Sequence, residues 1–278
     1  MPELPEVETI KTAIAQRIGS ARIENVAIYN RKLREYIPED IEAKITGASI
    51  IDYKRMAKYI IMFLDNDLCL LWHMGMSGKI KLSNEISECE KHDHIVIQTS
   101  NGVITYNDPR RFGLFTYCNT SNLMKHRLLS HVGVEPFSKD LTAEYLYKHL
   151  QKRKNAIKPT LLDQKIVVGI GNIYASEILY ESGISPLRTA NKISLKECSV
   201  LVDNIKKVLQ KAIDAGGSTL RDYKKPNGDL GYFQNMHCVY NKTGQRCPLC
   251  TCNIEKTGGI KKLVQAGRST FYCERLQK

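Results

Sequence analysis

Five apolar residues near the start of the chain are separated by three or four positions, the spacing of a single helix face. These residues are Leu4, Val7, Ile10, Ile14 and Ile18. The pattern predicts an amphipathic helix over residues 3–18, and the Gly19-Ser20 pair marks its end.

From about residue 21 the helical period gives way to short β-rich stretches. Turn signals such as Asp65-Asn66-Asp67 and Ser100-Asn101-Gly102 separate them. The predicted strands are 22–29, 48–54, 58–64, 67–73, 79–82, 94–99, 103–107 and 113–118. Many short strands at this spacing predict an antiparallel sandwich or barrel.

After about residue 121 the helical spacing returns. The predicted helices are 121–130, 141–152, 157–163, 172–182 and 194–215. Residues 132–136 form the predicted junction between the two halves, and a polar, Gly-rich loop over 216–235 leads to a Cys-containing tail. The chain is therefore predicted to have an α+β fold.

Composition narrows the class of protein. The 278 residues are 25% charged and 42% hydrophobic, as in a globular protein with one large domain or two modest ones. The longest apolar run, 68–72, is too short to span a bilayer, and the opening MPELPEVE is neither a signal nor a transit peptide. We therefore expect a cytosolic protein with no membrane partner. Nine cysteines, an odd number, exclude a complete disulfide framework.

The net charge of +12 points to a polyanionic partner, most simply nucleic acid. Residues 241–278 hold eight basic and two acidic residues. A second basic cluster consists of Lys148, Lys152, Arg153, Lys154, Lys158 and Lys165. Solvated helix and loop faces would also explain a single lysine, but the concentration in the tail favours a phosphate-contacting surface.

The N-terminus carries candidate chemistry. Removal of Met1 would expose Pro2 as a secondary amine, and an N-terminal amine has a pKa near 7.7–8.0, so a useful fraction is a neutral nucleophile at pH 7. Glu3 and Glu6 share a helix face beside it, which suits acid/base work on a sugar. Pro and Glu are also favoured in the first turn of any helix, so the residues alone leave both interpretations open.

Motifs in a fixed order along the whole chain favour the chemical interpretation. They are MPELPEVET at the start, His73–Gly78, Lys91–His94, Asp108–Gly113, Val168–Glu177, Gly216–Tyr223 and Arg268–Cys273. Together they resemble the formamidopyrimidine-DNA glycosylases, bacterial base-excision repair enzymes related to endonuclease VIII. The resemblance implies an N-terminal β-sandwich with a first helix (1–132), a helical helix–two-turn–helix domain with a lesion-recognition loop (133–235) and a zinc-ribbon-like β-hairpin (236–278).

The resemblance also implies the reaction. Pro2 would attack C1′ of the damaged nucleotide and expel the base, and the resulting Schiff base would allow β,δ-elimination to cut the strand. Glu3 would handle protons at the sugar ring, and Glu6 would position water or shuttle protons. Lys58 completes the implied catalytic set, where it would contact a phosphate.

The implied DNA contacts fall into two groups. His73, His92, Asn172 and Arg268 would bind phosphates; the two-residue spacing of His92 and His94 alone would also suit a metal site. Met76, Arg110 and Phe112 would fill the gap that a flipped base leaves, because a wedge needs apolar and planar side chains. Isolated apolar residues of this kind are otherwise expected in a core.

The loop at 216–223 resembles the one that closes over a flipped oxidised purine. Its named members are Ser218, Thr219, Arg221 and Tyr223. With Leu4, this loop favours 8-oxoguanine and formamidopyrimidine lesions over the oxidised pyrimidines of endonuclease VIII-type enzymes. The sequence leaves two alternatives: such a pyrimidine-specific enzyme, and a damage-binding protein without catalysis. The expected partner is duplex DNA with oxidised bases or abasic sites, bound by a monomer in the bacterial cytosol.

The tail departs from the two Cys-x-x-Cys knuckles of a zinc ribbon. Cys247 and Cys250 form the first knuckle, but the second offers Cys273 and then Leu276 in place of a cysteine. We expect one structural zinc ion on three thiolates, with Cys252 as a possible fourth ligand. A metal-free hairpin held by apolar packing is the alternative.

Overall fold

The computed structural model describes residues 1–218, 231–251 and 253–278. Two compact units make up this part of the chain. The first contains Met1–His131 and Ile213–Gln234, and the second contains Val132–Ala212 and Asn235–Lys278. The division into three domains that the sequence suggests stays a prediction.

The first unit contains two four-stranded sheets in which every neighbouring pair is antiparallel. Its strands are β1 (Ile23–Ile28), β2 (Ile50–Met56), β3 (Tyr59–Leu64), β4 (Leu68–His73), β5 (Lys79–Ser83), β6 (Asp93–Thr99), β7 (Gly102–Asn107) and β8 (Leu114–Asn119). One sheet has the order β1-β6-β7-β5 and the other β2-β3-β4-β8. This confirms the predicted sandwich.

Helix α1 (Leu4–Ile18) contributes to the core of this unit. Val7, Ile10, Ile14 and Ile18 are buried among side chains of both sheets, because their spacing brings them onto one helix face. The same packing fixes the position of the first helical turn, which carries Glu3 and Glu6. A short helix α2 (Ile41–Ile45) buries its two terminal isoleucines in the same core.

The second unit is helical and ends in a two-stranded antiparallel hairpin. Its helices are α3 (Ala143–Leu150), α4 (Ile157–Leu161), α5 (Asn172–Glu181), most of α6 (Leu195–Asp214) and α7 (Ile254–Thr257), and its strands are β9 (Lys261–Gln265) and β10 (Arg268–Tyr272). The α+β fold class is confirmed. None of the described helices is long and apolar enough to cross a membrane.

The structure corrects several boundaries. The helix predicted over 121–130 is wrong: a 3-10 turn covers Thr120–Lys125 and irregular turns follow. Leu123 and Leu129 are buried six positions apart while Met124 is exposed, so the apolar residues do not form a helix face. Lys58 lies in the turn between β2 and β3 and not in a strand, and α2 was not predicted.

Candidate active site and nucleic-acid interface

The first turn of α1 is closed by a capping box. Glu3 is the N-cap residue, its side chain accepts the backbone N–H of Glu6, and Oε2 of Glu6 accepts the backbone N–H of Glu3 at 2.8 Å. Both carboxylates are almost fully buried, as is Pro2, whereas Met1 is exposed. The capping box confirms the structural interpretation of these residues, and it also holds two carboxylates beside Pro2, whose chemical interpretation stays a prediction.

The other carboxylate oxygen of Glu6 reaches a residue of the predicted lesion loop. Oε1 accepts the backbone N–H of Ser218 at 2.8 Å. Gly217 has a φ of 78°, and a Cβ on it would lie 2.9 Å from the same oxygen, so this close approach requires glycine. Ser218 is buried there, while Thr219, Arg221 and Tyr223 lie outside the described residues.

The turn that carries Lys58 is tied to α1. Arg55 at the end of β2 donates Nε to Glu8 of α1 at 2.9 Å and Nη1 to the carbonyl of Ala57 at 2.9 Å. Ala57 takes the left-handed φ of 53°, which lets two residues reverse the chain. Lys58 is buried, so its side chain is directed by the surrounding protein and not by solvent.

His73 ends β4 directly opposite Tyr59, the residue after Lys58. Burial lowers the pKa of His73 to about 4, and the nearby charges of Arg34 and Lys58 act in the same direction. Nδ1 accepts the backbone N–H of Gly75 at 3.0 Å, which places the proton on Nε2. A neutral His73 therefore offers a phosphate an N–H donor without a charge.

Met76, Arg110 and Phe112 lie on two loops, 74–78 and 108–113, which we call the wedge loops. Met76 is 37% and Phe112 47% exposed, so the alternative that both belong to the core is wrong. The Arg110 guanidinium lies 4.7 Å from the centre of the Phe112 ring. The three predicted insertion residues are thus solvent-accessible side chains on loops whose backbones are close together.

The side chain of Asp108 forms hydrogen bonds with both loops. It is fully buried, and its carboxylate accepts hydrogen bonds from Ser77 Oγ at 2.6 Å and from the backbone N–H of Gly113 at 2.8 Å. His94 is buried and donates Nε2 to the Asp108 carbonyl at 2.8 Å, whereas His92 is half-buried. His94 therefore has a structural partner, and the described residues do not place the His92 and His94 pair in a group of three or more metal ligands.

In the second unit, Asn172 begins α5 after the N-cap Gly171. The preceding loop is ordered by Gln164, which accepts the backbone N–H of Gly169 at 2.8 Å and donates to the carbonyl of Ile170 at 2.9 Å. A glycine-rich turn before a helix N-terminus is suited to anion binding. Asn172 lies in the first turn of α5, and its contact with a phosphate stays a prediction.

Lys158 connects Asn172 to the hairpin. Its ammonium donates to Oδ1 of Asn172 at 2.6 Å, to the carbonyl of Ser269 at 2.9 Å and to Oγ1 of Thr270 at 2.9 Å, and it is 1% exposed. Nδ2 of Asn172 also donates to the Ser269 carbonyl at 2.9 Å. The buried lysine thus links Asn172 to the two residues that follow Arg268 in the hairpin.

Arg268 begins β10 directly after the hairpin turn and is exposed. The turn residues Ala266 and Gly267 both have positive φ values, 46° and 72°, as a tight two-residue hairpin requires. The hairpin therefore presents Arg268 at its tip while the next two residues are anchored to Lys158.

Three cysteines gather at the base of the hairpin. The Sγ atoms of Cys247, Cys250 and Cys273 all lie within 4.8 Å of one another. Burial opposes ionisation of the Cys247 thiol, but hydrogen bonds from Tyr180 and the backbone N–H groups of Cys250 and Leu249 outweigh it and lower its pKa. Leu276 packs against the apolar cluster around them, and Cys252 lies outside the described residues. The three described thiols form a possible metal-binding site.

Sequence reasoning missed three residues of these sites. In the sequence Lys158 is one of a cluster of basic residues, Asp108 is one member of the 108–113 motif, and Arg34 belongs to no motif. Arg34 is exposed, its backbone N–H donates to the Gly113 carbonyl at 3.0 Å, and its charge affects His73. No local pattern marks Arg34 or Lys158, because their roles depend on contacts distant in sequence.

Two family descriptions match the sequence. Residues 1–115 match the formamidopyrimidine-DNA glycosylase N-terminal domain, and residues 132–224 match the formamidopyrimidine-DNA glycosylase H2TH domain. Among curated relatives, the formamidopyrimidine-DNA glycosylases of Rhodospirillum rubrum and Zymomonas mobilis are each 43% identical to this chain, over 281 and 279 aligned residues, with all of both chains covered.

Solved structures give the same similarity. A complex between Lactococcus lactis Fpg and DNA containing an abasic site superposes with a TM-score of 0.90, 33% identity and 99% coverage of both chains. A complex between the wild-type Lactococcus lactis protein and DNA containing N7-benzyl-Fapy-dG also gives a TM-score of 0.90 and 33% identity, with full coverage of both chains.

Proposed function

The chain belongs to the formamidopyrimidine-DNA glycosylase family, and on this premise we propose that Pro2, once Met1 is removed, is the nucleophile of its reaction. The protein is a DNA glycosylase that excises oxidised purines from duplex DNA and acts as an AP lyase. The observation that supports Pro2 as the nucleophile is the pair of buried carboxylates that the capping box holds beside it. Because the relatives are bacterial DNA-repair enzymes, we also propose a bacterial cytosolic location.

The proposed reaction begins at C1′ of the damaged nucleotide. The Pro2 nitrogen lone pair attacks C1′, the glycosidic bond breaks, and the base takes up the proton that the Pro2 nitrogen loses. Ring opening puts a proton on O4′ and leaves an iminium between Pro2 and C1′. Because an iminium withdraws electrons, loss of a C2′ proton expels the 3′ phosphate, and a second elimination expels the 5′ phosphate. Water then hydrolyses the iminium and restores the amine.

Glu3 and Glu6 take different parts in this scheme. Glu3 is adjacent to Pro2, and we assign it the proton transfers at the sugar ring. Glu6 binds two backbone N–H groups, those of Glu3 and Ser218, so its carboxylate connects the start of α1 to the lesion loop. In this scheme Glu6 orients water and the loop.

We assign DNA contacts within each unit. His73 pairs with Tyr59, the residue that follows Lys58, so Lys58 and the neutral His73 lie near each other, where they would hold a phosphate near the sugar being cut. His92, Asn172 and Arg268 are further phosphate contacts. Met76, Arg110 and Phe112 fill the space of the flipped nucleotide, and the donors of Arg110 suit the base left unpaired. Ser218 and the residues 219, 221 and 223 cover the flipped purine.

Borohydride trapping tests this proposal, because reduction of the iminium leaves a permanent bond between protein and DNA. We expect a covalent adduct with a duplex that carries 8-oxoguanine opposite cytosine, and none with Pro2→Gly. Mass spectrometry of the intact protein before the reaction establishes that Met1 is absent, and peptide mapping of the adduct identifies the attached residue.

The outcomes separate the alternatives. Equal trapping by Pro2→Gly, with the adduct mapped to a residue other than residue 2, would exclude Pro2 as the nucleophile. Faster cleavage of a thymine glycol duplex than of the 8-oxoguanine duplex would favour the endonuclease VIII-like alternative. Tight binding of the lesion duplex without cleavage or trapping would indicate a damage-binding protein.

We also propose that Cys247, Cys250 and Cys273 hold one zinc ion. Zn–S bonds of about 2.3 Å in a tetrahedral site place two sulfurs about 3.8 Å apart. Sγ of Cys250 and Sγ of Cys273 are 3.8 Å apart, so the described thiols fit that geometry. The ion would be structural, since these cysteines join the start of the tail to the end of the strand that carries Arg268. Leu276 supplies no ligand at the fourth position.

A further inference from the structure

Both wedge loops are held by one carboxylate. Oδ1 of Asp108 accepts Ser77 Oγ at 2.6 Å and the backbone N–H of Arg110 at 3.3 Å. Oδ2 accepts the backbone N–H of Gly113 at 2.8 Å and the hydroxyl of Tyr106 at 3.1 Å. Ser77 belongs to loop 74–78, whereas Arg110 and Gly113 belong to loop 108–113. A single fully buried side chain therefore bonds to both loops.

The backbones of the two loops are also in direct contact. Gly75 has a φ of 63°, and a Cβ on it would lie 2.3 Å from the carbonyl carbon of Phe112. A Cβ on Gly113 would lie 1.6 Å from the Tyr106 hydroxyl. With glycine at these positions, loop 74–78 and loop 108–113 approach closely enough for Asp108 to bond to both.

The chemistry around Asp108 selects a carboxylate. All four groups that contact its side chain donate hydrogen bonds, and a carboxylate has only acceptor atoms. An asparagine at position 108 would replace one carboxylate oxygen by an NH₂ group. That group is itself a donor and cannot accept the hydrogen bonds offered on its side. The main chain is fixed as well, because Asp108 donates its N–H to His92 at 3.0 Å and its carbonyl accepts from His94.

We propose that Asp108 is a positioning residue that joins the wedge loops into one rigid body, so that Met76, Arg110 and Phe112 enter the duplex together. This inference rests on the proposed function, since it takes the wedge role of these three side chains as given. Insertion requires that stacked bases be separated, and loops that move independently would lose contacts with the gap before it is filled. Exposed side chains on a fixed backbone avoid that loss.

The test follows insertion directly in the full-length protein. The duplex carries 8-oxoguanine opposite cytosine, with 2-aminopurine beside that cytosine, because 2-aminopurine becomes more fluorescent when its stacking is broken. We expect Asp108→Asn to slow the fluorescence rise and base excision by about 10-fold or more, since a buried donor loses its partner. Cleavage of a preformed abasic site, where no base needs to be flipped, should change by less than about 3-fold.

Ser77→Ala provides a second variant, because it removes only the bond from Asp108 to loop 74–78. We expect a smaller slowing of the fluorescence rise, and the double variant should be no slower than Asp108→Asn alone. Ile104→Val is the control for lost stability, since Ile104 is buried in the sandwich core. This variant should melt at a lower temperature and show an unchanged fluorescence rise.

Three results would overturn the inference. The first is a wild-type fluorescence rise in a folded Asp108→Asn. The second is an equal loss of excision and abasic-site cleavage, which indicates general damage. The third, which applies if Asp108→Asn does not fold, is a wild-type fluorescence rise in Ser77→Ala. Failure of the proposed function is distinguishable, since the unsubstituted protein would then neither trap nor cleave the abasic duplex.

Discussion

The carboxylate of Glu6 accepts the backbone N–H of Ser218 at 2.8 Å, although the two residues are 212 positions apart. Its other oxygen closes the capping box of α1 through the N–H of Glu3. One side chain therefore connects the proposed catalytic turn to the start of the lesion loop. Gly217, whose missing side chain makes room for Glu6, gives a way to disturb this connection alone.

We expect Gly217→Ala to reduce excision of 8-oxoguanine by about 10- to 100-fold, because the new methyl group displaces the Glu6 carboxylate and a shift of about 1 Å at a catalytic group is that costly. Gly244→Ala is a matched control: Gly244 has nearly the same φ, 76° against 78°, but nothing lies within 4 Å of the added Cβ.

Both alanine variants carry the same backbone strain of about 1–2 kcal/mol, so Gly244→Ala shows how far the melting temperature falls from this strain alone. Single-turnover excision kinetics and thermal melting measure the two effects separately. Equal activity in Gly217→Ala and Gly244→Ala would show that Glu6 need not keep its position.

Local patterns predicted the parts of the fold that local physics determines. The spacing of Val7, Ile10 and Ile14 specified the buried face of α1, and turn residues separated the strands. The predicted helix over 121–130 is wrong because apolar spacing alone does not show which residues are buried in a core. Helix α2 is too short to give a periodic signal.

The sequence motifs predicted the candidate site residues, but they did not predict the hydrogen bonds that hold those residues in place. Lys158 belongs to a run of lysines that suggests a solvated surface, and only the tertiary structure buries it against Asn172 and Thr270. Asp108 is likewise indistinguishable by sequence from a surface aspartate of a turn. The contacts that give each residue its role are distant in sequence: Thr270 lies 112 positions after Lys158, and Ser77 lies 31 positions before Asp108.

We expect Lys158→Met to lower the free energy of unfolding by about 2–4 kcal/mol, because it removes charged hydrogen bonds from buried acceptors. DNA affinity should fall as well, since Asn172 and the strand that bears Arg268 lose their link. Lys154→Met is the control, because Lys154 is exposed and its replacement should change stability by less than about 0.5 kcal/mol. Urea unfolding and titration with an abasic-site duplex are the measurements, and equal effects of the two variants would contradict the link.

Replacement of His73 and replacement of Arg268 should have different effects on the salt dependence of DNA binding. A neutral His73 gives a hydrogen bond without releasing a counterion, so His73→Gln should weaken DNA binding by about 10-fold and leave the salt slope unchanged. Arg268→Gln should reduce the slope of log affinity against log salt concentration by about one. Fluorescence anisotropy at several salt concentrations tests both, and a reduced slope in His73→Gln would mean that the imidazole is charged.

The lowered pKa of His73 also predicts a pH dependence of stability. The folded-state value of about 4 lies below the ordinary 6.5, so the unfolded chain binds more protons between these pH values. The contribution of the neutral His73 imidazole to the free energy of unfolding is fully present above pH 6.5 and is lost as the pH falls toward 4. Between pH 7 and 4.5, wild-type protein should therefore lose more stability in urea unfolding than His73→Gln does. Parallel losses would exclude this origin.

Leu276→Cys should strengthen zinc binding, because it supplies the fourth thiolate of a Cys₄ site at the position where the ribbon pattern expects one. Leu276 already packs against the cluster that contains Cys247 and Cys273, so the new thiol is close to the other ligands. We expect at least about a 10-fold lower dissociation constant in competition with a chromogenic chelator. Val264→Cys is the control, since Val264 is 68% exposed on β9 and does not belong to this cluster, so the zinc affinity should stay unchanged. Metal analysis of the unsubstituted protein, purified without added zinc, should give about one zinc per chain. A content near zero, together with unchanged melting after chelator treatment, would show that apolar packing alone holds the hairpin.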